Sequence, residues 1–336
     1  MRAAWTGGQY SVLRAAFGAS VAIAFAFGPG APWVRGLGAI ASVVLVLGAT
    51  RAGVLVALAA WLYLQWPEIA AQPWSALVPL ALLTHACAPG SPYGSVRAMG
   101  RTDPGGGWSL PAWSRWVAWG AVLALAAVAH ALSDDATSPR SALRLAACAA
   151  GLFPPVRPFA WLVLAGEEAI ANFDAAHAHV FAARLLALGI LFDPAWVRGR
   201  TGGVERLYYD GACGLCHRAV RFILAEDVDG SRFRVAPLQG ETFAARVTPA
   251  ERANLPDSVI VQAQEGRLLV RSDAALHILE RLGGVWRVLG IAGRAFPRPL
   301  RDALYDGVAR IRKRLFAAPK EACPLLPSAL RGRFDP

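Results

Sequence analysis

The run Leu207-Tyr208-Tyr209-Asp210-Gly211-Ala212-Cys213-Gly214-Leu215-Cys216-His217 passes from strand-type apolar residues into two cysteines separated by two residues. Leu207-Tyr208-Tyr209 reads as a short strand. Val220, Ile223 and Leu224 mark the apolar face of a helix from His217 to about Asp227, at i, i+3, i+4 spacing. Asp229-Gly230 is a turn, and Arg232-Phe233-Arg234-Val235 alternates as a half-buried strand does. Glu241–Asn254 reads as a short helical insertion. Ser258–Gln262 and Arg267–Arg271 flank Glu265-Gly266 as a hairpin. Ser272 can cap a helix over Asp273–Leu282, and Gly283-Gly284 ends it.

The order is strand, Cys-x-x-Cys helix, strand, helical insertion, hairpin, helix. A thioredoxin-like α/β core has this order, and a Cys-x-x-Cys between its first strand and first helix is its redox position. The chemistry follows from the placement. The thiolate is the reactive form of cysteine, and a helix N-terminus stabilises it through free N–H groups and the positive dipole end. Cys213 is expected at that end, as the more exposed, nucleophilic sulfur. Cys216, one turn on, is the resolving sulfur. Gly211 and Gly214 are expected to permit a tight turn. His217 either faces Cys213 and favours its thiolate or is an ordinary solvated helix residue. Asp210 either accepts loop N–H bonds or relays protons to the buried thiol. A zinc site normally needs four ligands. His217, His277 and Cys323 are the only further candidates here, so a redox pair is the preferred reading and no metal or cofactor is expected. Pro256 precedes the Ser258–Gln262 strand, with a cis or an ordinary trans bond both open.

The rest of the chain has a different composition. Of 336 residues, 55% are hydrophobic and only 17% charged, against about a quarter charged in an ordinary soluble domain. Residues 1–203 hold 13 Lys/Arg and 8 Asp/Glu; residues 204–336 hold 21 and 15. The net charge of +11 can suggest nucleic acid, but arginines kept to one side of a membrane explain it better, and no nucleic-acid partner is expected. Apolar runs lie at Tyr10–Phe27, Gly36–Gly48, Gly53–Trp66, Trp74–Ala88, Trp116–Leu132, Ala142–Phe153, Phe159–Ile170 and Val180–Phe192. Pro29, Pro32, Pro67, Pro73, Pro89, Pro154 and Pro155 punctuate them. Several runs are shorter than the roughly 20 residues of a simple span, so six to eight helices, some broken, are expected. The division is thus a polytopic membrane domain over 1–203 and an α/β domain over 204–336.

Arg51, Arg97, Arg101, Arg115, Arg157, Arg198 and Arg200 fall on one side of alternating spans, with Arg35, Arg140 and Arg144 as exceptions on the other. The positive-inside rule makes the side with more arginines cytoplasmic. The expected location is the cell membrane, multi-pass, with the redox domain in the cytoplasm. No small-residue cleavage site follows the first run, so a cleaved signal is not expected. Tryptophans near run ends fit an interfacial belt.

Residues 205–336 resemble the DCC family of thiol-disulfide oxidoreductases, also called DUF393. The resemblance rests on Asp210, Cys213 and Cys216 as Asp-x-x-Cys-x-x-Cys, on Phe233-Arg234-Val235-Ala236-Pro237-Leu238-Gln239, on Arg271-Ser272-Asp273-Ala274-Ala275, and on Pro297-Arg298-Pro299-Leu300-Arg301-Asp302 with Tyr305-Asp306. It implies a thioredoxin-like redox module and leaves the substrate undefined. The first half more loosely resembles the HTTM membrane module, through Leu13-Arg14-Ala15-Ala16-Phe17-Gly18 and Leu191-Phe192-Asp193-Pro194-Ala195-Trp196.

Expected partners are a protein or small-molecule thiol or disulfide and the lipid bilayer. The competing reading is a membrane transporter or binding protein with a cytoplasmic redox-sensing module. A weaker one is a lipid- or quinone-modifying membrane enzyme. Glu167, Glu168, Asp174, His177 and His179 read either as polar groups of an external loop or as a metal or quinone-headgroup site. Cys87 and Cys148 read as buried small residues, and Cys323 as an uninvolved loop thiol. Leu300–Phe316 is a basic amphipathic helix, suited to anionic lipid or to ordinary packing.

Overall fold

The computed structural model describes residues 5–132, 138–171, 178–316 and 327–336. Among the described residues, eight α-helices lie in the first part: α1 (Gly7–Phe27), α2 (Pro32–Leu47), α3 (Arg51–Ala71), α4 (Leu77–Cys87), α5 (Ser114–Ala131), α6 (Pro139–Ala150), α7 (Arg157–Ala171) and α8 (Ala178–Ala187). Each overlaps one of the apolar runs. Local signals set several ends. Pro32 opens α2, where its missing N–H is no loss. Gly48 closes that helix in the left-handed conformation, φ 63°. The Thr50 hydroxyl caps α3 by accepting the Gly53 N–H. Pro67 was expected to separate runs; instead α3 continues through it to Ala71.

The chain divides into two compact units, Met1–Trp5, Tyr10–Met99 and Trp108–Asp193 in one, and Thr6–Gln9, Gly100–Gly107 and Pro194–Pro336 in the other. In the first unit Phe17, Val21, Leu45, Ala57, Leu77, Leu82, Val122 and Leu164 are buried. Many large apolar side chains point outward instead, among them Leu37, Ile40, Val43 and Leu47 along one stripe of α2. Among the described residues, three helices (α1, α3 and α5) are long and apolar enough to cross a membrane. The tryptophans split: Trp33, Trp66 and Trp113 are exposed, whereas Trp61, Trp74 and Trp119 are core residues.

The expected external loop around Glu167 and Glu168 is in fact helical at that point. Both lie on α7, and Glu168 is fully buried. Glu168 meets Arg184 at 2.8 Å and accepts the Trp74 indole N–H at 3.1 Å. Glu167 accepts from Arg144 Nε at 3.1 Å. Asp174 and His177 lie outside the described residues, as does Cys323; of the His179 side chain nothing is described. Cys148 is buried as expected, but Cys87 is exposed, because it ends α4 on the outward side.

The second unit carries a four-stranded mixed sheet, β1 (Glu205–Tyr209), β2 (Phe233–Pro237), β3 (Ile260–Gln262) and β4 (Leu268–Val270), ordered β2-β1-β3-β4. β1 and β2 are parallel, with Glu205 opposite Phe233 and Tyr209 opposite Pro237. β1–β3 and β3–β4 are antiparallel. The connecting helices are α9 (Gly214–Glu226), α10 (Glu241–Arg246) and α11 (Pro249–Ala253). After the sheet come α12 (Arg271–Leu282), α13 (Gly284–Arg294), α14 (Arg298–Leu315) and α15 (Ser328–Arg331).

Alternation along β1 sends successive side chains to opposite faces. Tyr208 packs on one face with Ala236, Ile260, Phe243 and Val247. Leu207 and Tyr209 face the other side, with Val220 and Ile223 of α9 and Ile278 of α12. Each such fully buried aliphatic side chain is worth about 1.5–3 kcal/mol relative to exposure. Asp227, just after α9, accepts the Arg232 and Phe233 N–H groups at 3.2 and 3.1 Å, which ties the end of the helix to the start of β2.

Two expectations at α12 fail. The helix starts at Arg271, two residues early, and Ser272 does not cap it: its hydroxyl turns to Asp302. Gly283 ends it at φ 79°, where only glycine is unstrained.

Candidate active site

β1 delivers the chain directly into the cysteine loop. Cys213 is the N-cap of α9, in extended conformation, and its sulfur accepts the Cys216 N–H at 3.4 Å. A cysteine sulfur thus takes the place of the usual capping oxygen, at the positive end of the helix. Three side chains frame the loop. Asp210 Oδ1 accepts the Ala212 N–H at 2.9 Å and a Gln239 amide N–H at 3.2 Å. Gln239 Oε1 accepts the Gly211 N–H at 3.3 Å. His217 Nε2 bonds the Gly211 carbonyl at 3.0 Å, and its ring sits edge-on to Tyr209 with centroids 5.7 Å apart.

All four sequence-selected residues therefore meet in one place, but not all as expected. Cys213 is as buried as Cys216, each 3% exposed, where it was expected to be the more exposed. Asp210, Gln239 and His217 fix the turn that leads into it, through their bonds to Gly211 and Ala212. His217 is buried rather than solvated. Asp210 acts as a loop-fixing acceptor, and its hydrogen bonds lead to Ala212 and Gln239. Gly211 and Gly214 are not left-handed: neither has a positive φ, so the turn does not require glycine for that reason. Pro256 follows a trans bond. His277 does not join the cysteines: its Nε2 meets Glu205 at 2.7 Å.

Gln239 was not selected as a site residue. The signal was there, since it closes the Phe233–Gln239 stretch, but its contact with Asp210 spans nearly 30 residues. Cys216, on the inner side of α9, also forms part of the wall of a cavity of about 300 Å³.

A family model for DCC1-like thiol-disulfide oxidoreductases matches residues 207–318. The uncharacterized protein YuxK of Bacillus subtilis (strain 168) is 33% identical over 134 residues, covering 39% of this chain and 93% of YuxK. The chain belongs to the DCC1-like family. A chloroplastic DCC family protein of Arabidopsis thaliana is 29% identical over 135 residues, 39% of this chain and 77% of that protein. No solved structure matches the chain. The DCC1-like match lies in the second unit and contains the whole cysteine loop, Gln239 and α12.

Proposed function

We propose that the chain is a membrane-tethered thiol-disulfide oxidoreductase that works through Cys213 and Cys216. The observation that carries this reading is the Cys213 sulfur at the N-cap of α9, accepting the Cys216 N–H. Family membership supports it, and the sheet order β2-β1-β3-β4 favours a thioredoxin-like fold for the module. With a partner disulfide that reaches the loop, the Cys213 thiolate attacks one sulfur and the partner S–S bond breaks. A mixed disulfide forms and the partner's first thiolate leaves. Cys216 then attacks the Cys213 sulfur, and the second partner thiol leaves. Two electrons and two protons pass to the partner, and the protein pair becomes a disulfide. A dithiol reductant reverses this.

The membrane part of the proposal draws on the three long apolar helices and on the outward apolar side chains of the first unit. Contiguous exposed apolar surface of this kind is rare on water-soluble proteins. The arginine distribution favours a cytoplasmic redox module. The test is capture: a Cys216→Ser chain cannot resolve, so Cys213 should hold its partner as a mixed disulfide that reductant releases. Equal capture by Cys213→Ser, or none by either variant, would count against the assigned roles.

A further inference from the structure

The cavity beside Cys216 has a chemistry of its own. It lies between β1, α9, α12 and α14, and among the described residues none that lines it is charged. Leu207, Val220, Ile223 and Ile278 are among the aliphatic residues of its wall, and Phe222 adds an aromatic ring. Tyr305 brings a hydroxyl, which already accepts the Val259 N–H at 3.1 Å. Cys216 is in the wall and Cys213 is not. At about 300 Å³ the cavity is at the small end of the range for ligand pockets. An ionic group placed in it would lose its hydration, and no described lining residue carries an opposite charge to meet it.

We propose that this cavity seats a small, uncharged, apolar disulfide whose sulfur meets Cys216. The proposal rests on the reading of Cys213 and Cys216 as a redox pair, and it names a substrate class for that pair. On this substrate the two sulfurs exchange roles. The Cys216 thiolate attacks one ligand sulfur, the ligand S–S bond breaks, and the first RS⁻ leaves as RSH with the proton that Cys216 gave up. The Cys213 thiolate then attacks Cys216 in the mixed disulfide, and the second RSH leaves. The ligand gains two electrons and two protons; the pair becomes the disulfide. The Cys213 sulfur, held at the helix N-terminus, is then also the better leaving group when the pair is reduced again from the cavity side.

The test uses the full chain with Cys87, Cys148 and Cys323 replaced by Ala, leaving the pair as the only thiols. Its reduced form is mixed with neutral 4,4′-dithiodipyridine or with the dianionic 5,5′-dithiobis(2-nitrobenzoate). Each rate is divided by that probe's rate with free glutathione. The neutral probe should be preferred by about tenfold or more. The chain's charge of +11 would favour the dianion, so the preference cannot come from the surface. Ala219→Phe and Ala275→Phe, which fill the cavity, should each bring the ratio near one. In the unmutated cavity, 4-hydroxybiphenyl should slow the neutral probe and not the dianionic one, a readout that needs no variant to fold. In single-cysteine chains, Cys216 should take the thiopyridyl label faster than Cys213. A ratio near one, no competition, or faster labelling of Cys213 would overturn the proposal while a pair that equilibrates with dithiothreitol keeps the redox reading. A pair that never equilibrates with dithiothreitol would overturn both.

Discussion

Cys213 caps α9 with sulfur, and the loop around it is held by atoms rather than by glycine freedom. His217 is the clearest case. Its buried ring packs on Tyr209, and Nε2 bonds the Gly211 carbonyl. His217→Ala leaves that buried carbonyl without its partner and should cost about 1–3 kcal/mol. The check is hydrogen exchange of the 210–217 peptide, which should speed up, together with a lower midpoint in denaturant. Unchanged exchange would show that His217 does not hold the loop. Gln239→Ala should loosen the same peptide, because it removes the acceptor for the Gly211 N–H and a donor to Asp210. A Gln239→Glu chain, which retains an acceptor, should lie between the two.

Elements were legible in the sequence where the local pattern agreed with the tertiary fold. β1, the cysteine helix and the β3–β4 hairpin could be read because alternation, i, i+3, i+4 spacing and Glu265-Gly266 are local signals. α9 starts at Gly214, three residues before the start that the apolar spacing predicts, because Gly214-Leu215-Cys216 has no apolar period and its capping acceptor is a cysteine sulfur. Ser272 departs for the opposite reason: its type suits a cap, but its hydroxyl is engaged by Asp302, thirty residues away. That Tyr305 shares a cavity wall with Cys216 does not follow from spacing alone, and neither does the place of residues 334–335. Those two residues add a further pairing to β2: Phe334 bridges Val235, and Asp335 meets Arg206 and Arg234. Burial pushes the Asp335 carboxyl up, but the Arg234 and Arg206 guanidiniums outweigh it and hold it below the ordinary 3.8. A depressed folded value means that this attachment is fully stable above about pH 4 and weakens as pH falls through the folded value. Exchange of the 333–336 and 233–237 amides should therefore rise, relative to the intrinsic rate, only below about pH 4. Arg234→Gln should remove most of that acid dependence. A flat profile in the native chain would contradict the ion-pair account.

For the whole molecule, the proposed tether would keep the helical first unit in the membrane while the DCC1-like domain carries the cysteine pair. The chain should stay in the membrane fraction through an alkaline carbonate wash; release into the supernatant would remove the tether. A reporter active only in the cytosol should work when fused after Pro336, and one active only outside should not. The redox pair is tested most directly by titrating the full chain, with Cys87, Cys148 and Cys323 replaced by Ala, across a dithiothreitol series, followed by alkylation and intact mass. A redox pair gives a single two-electron transition in which both alkyl groups are lost together as the Cys213–Cys216 disulfide forms. A pair that stays fully alkylated at every potential, or that holds zinc in stoichiometric amount, would contradict the redox reading.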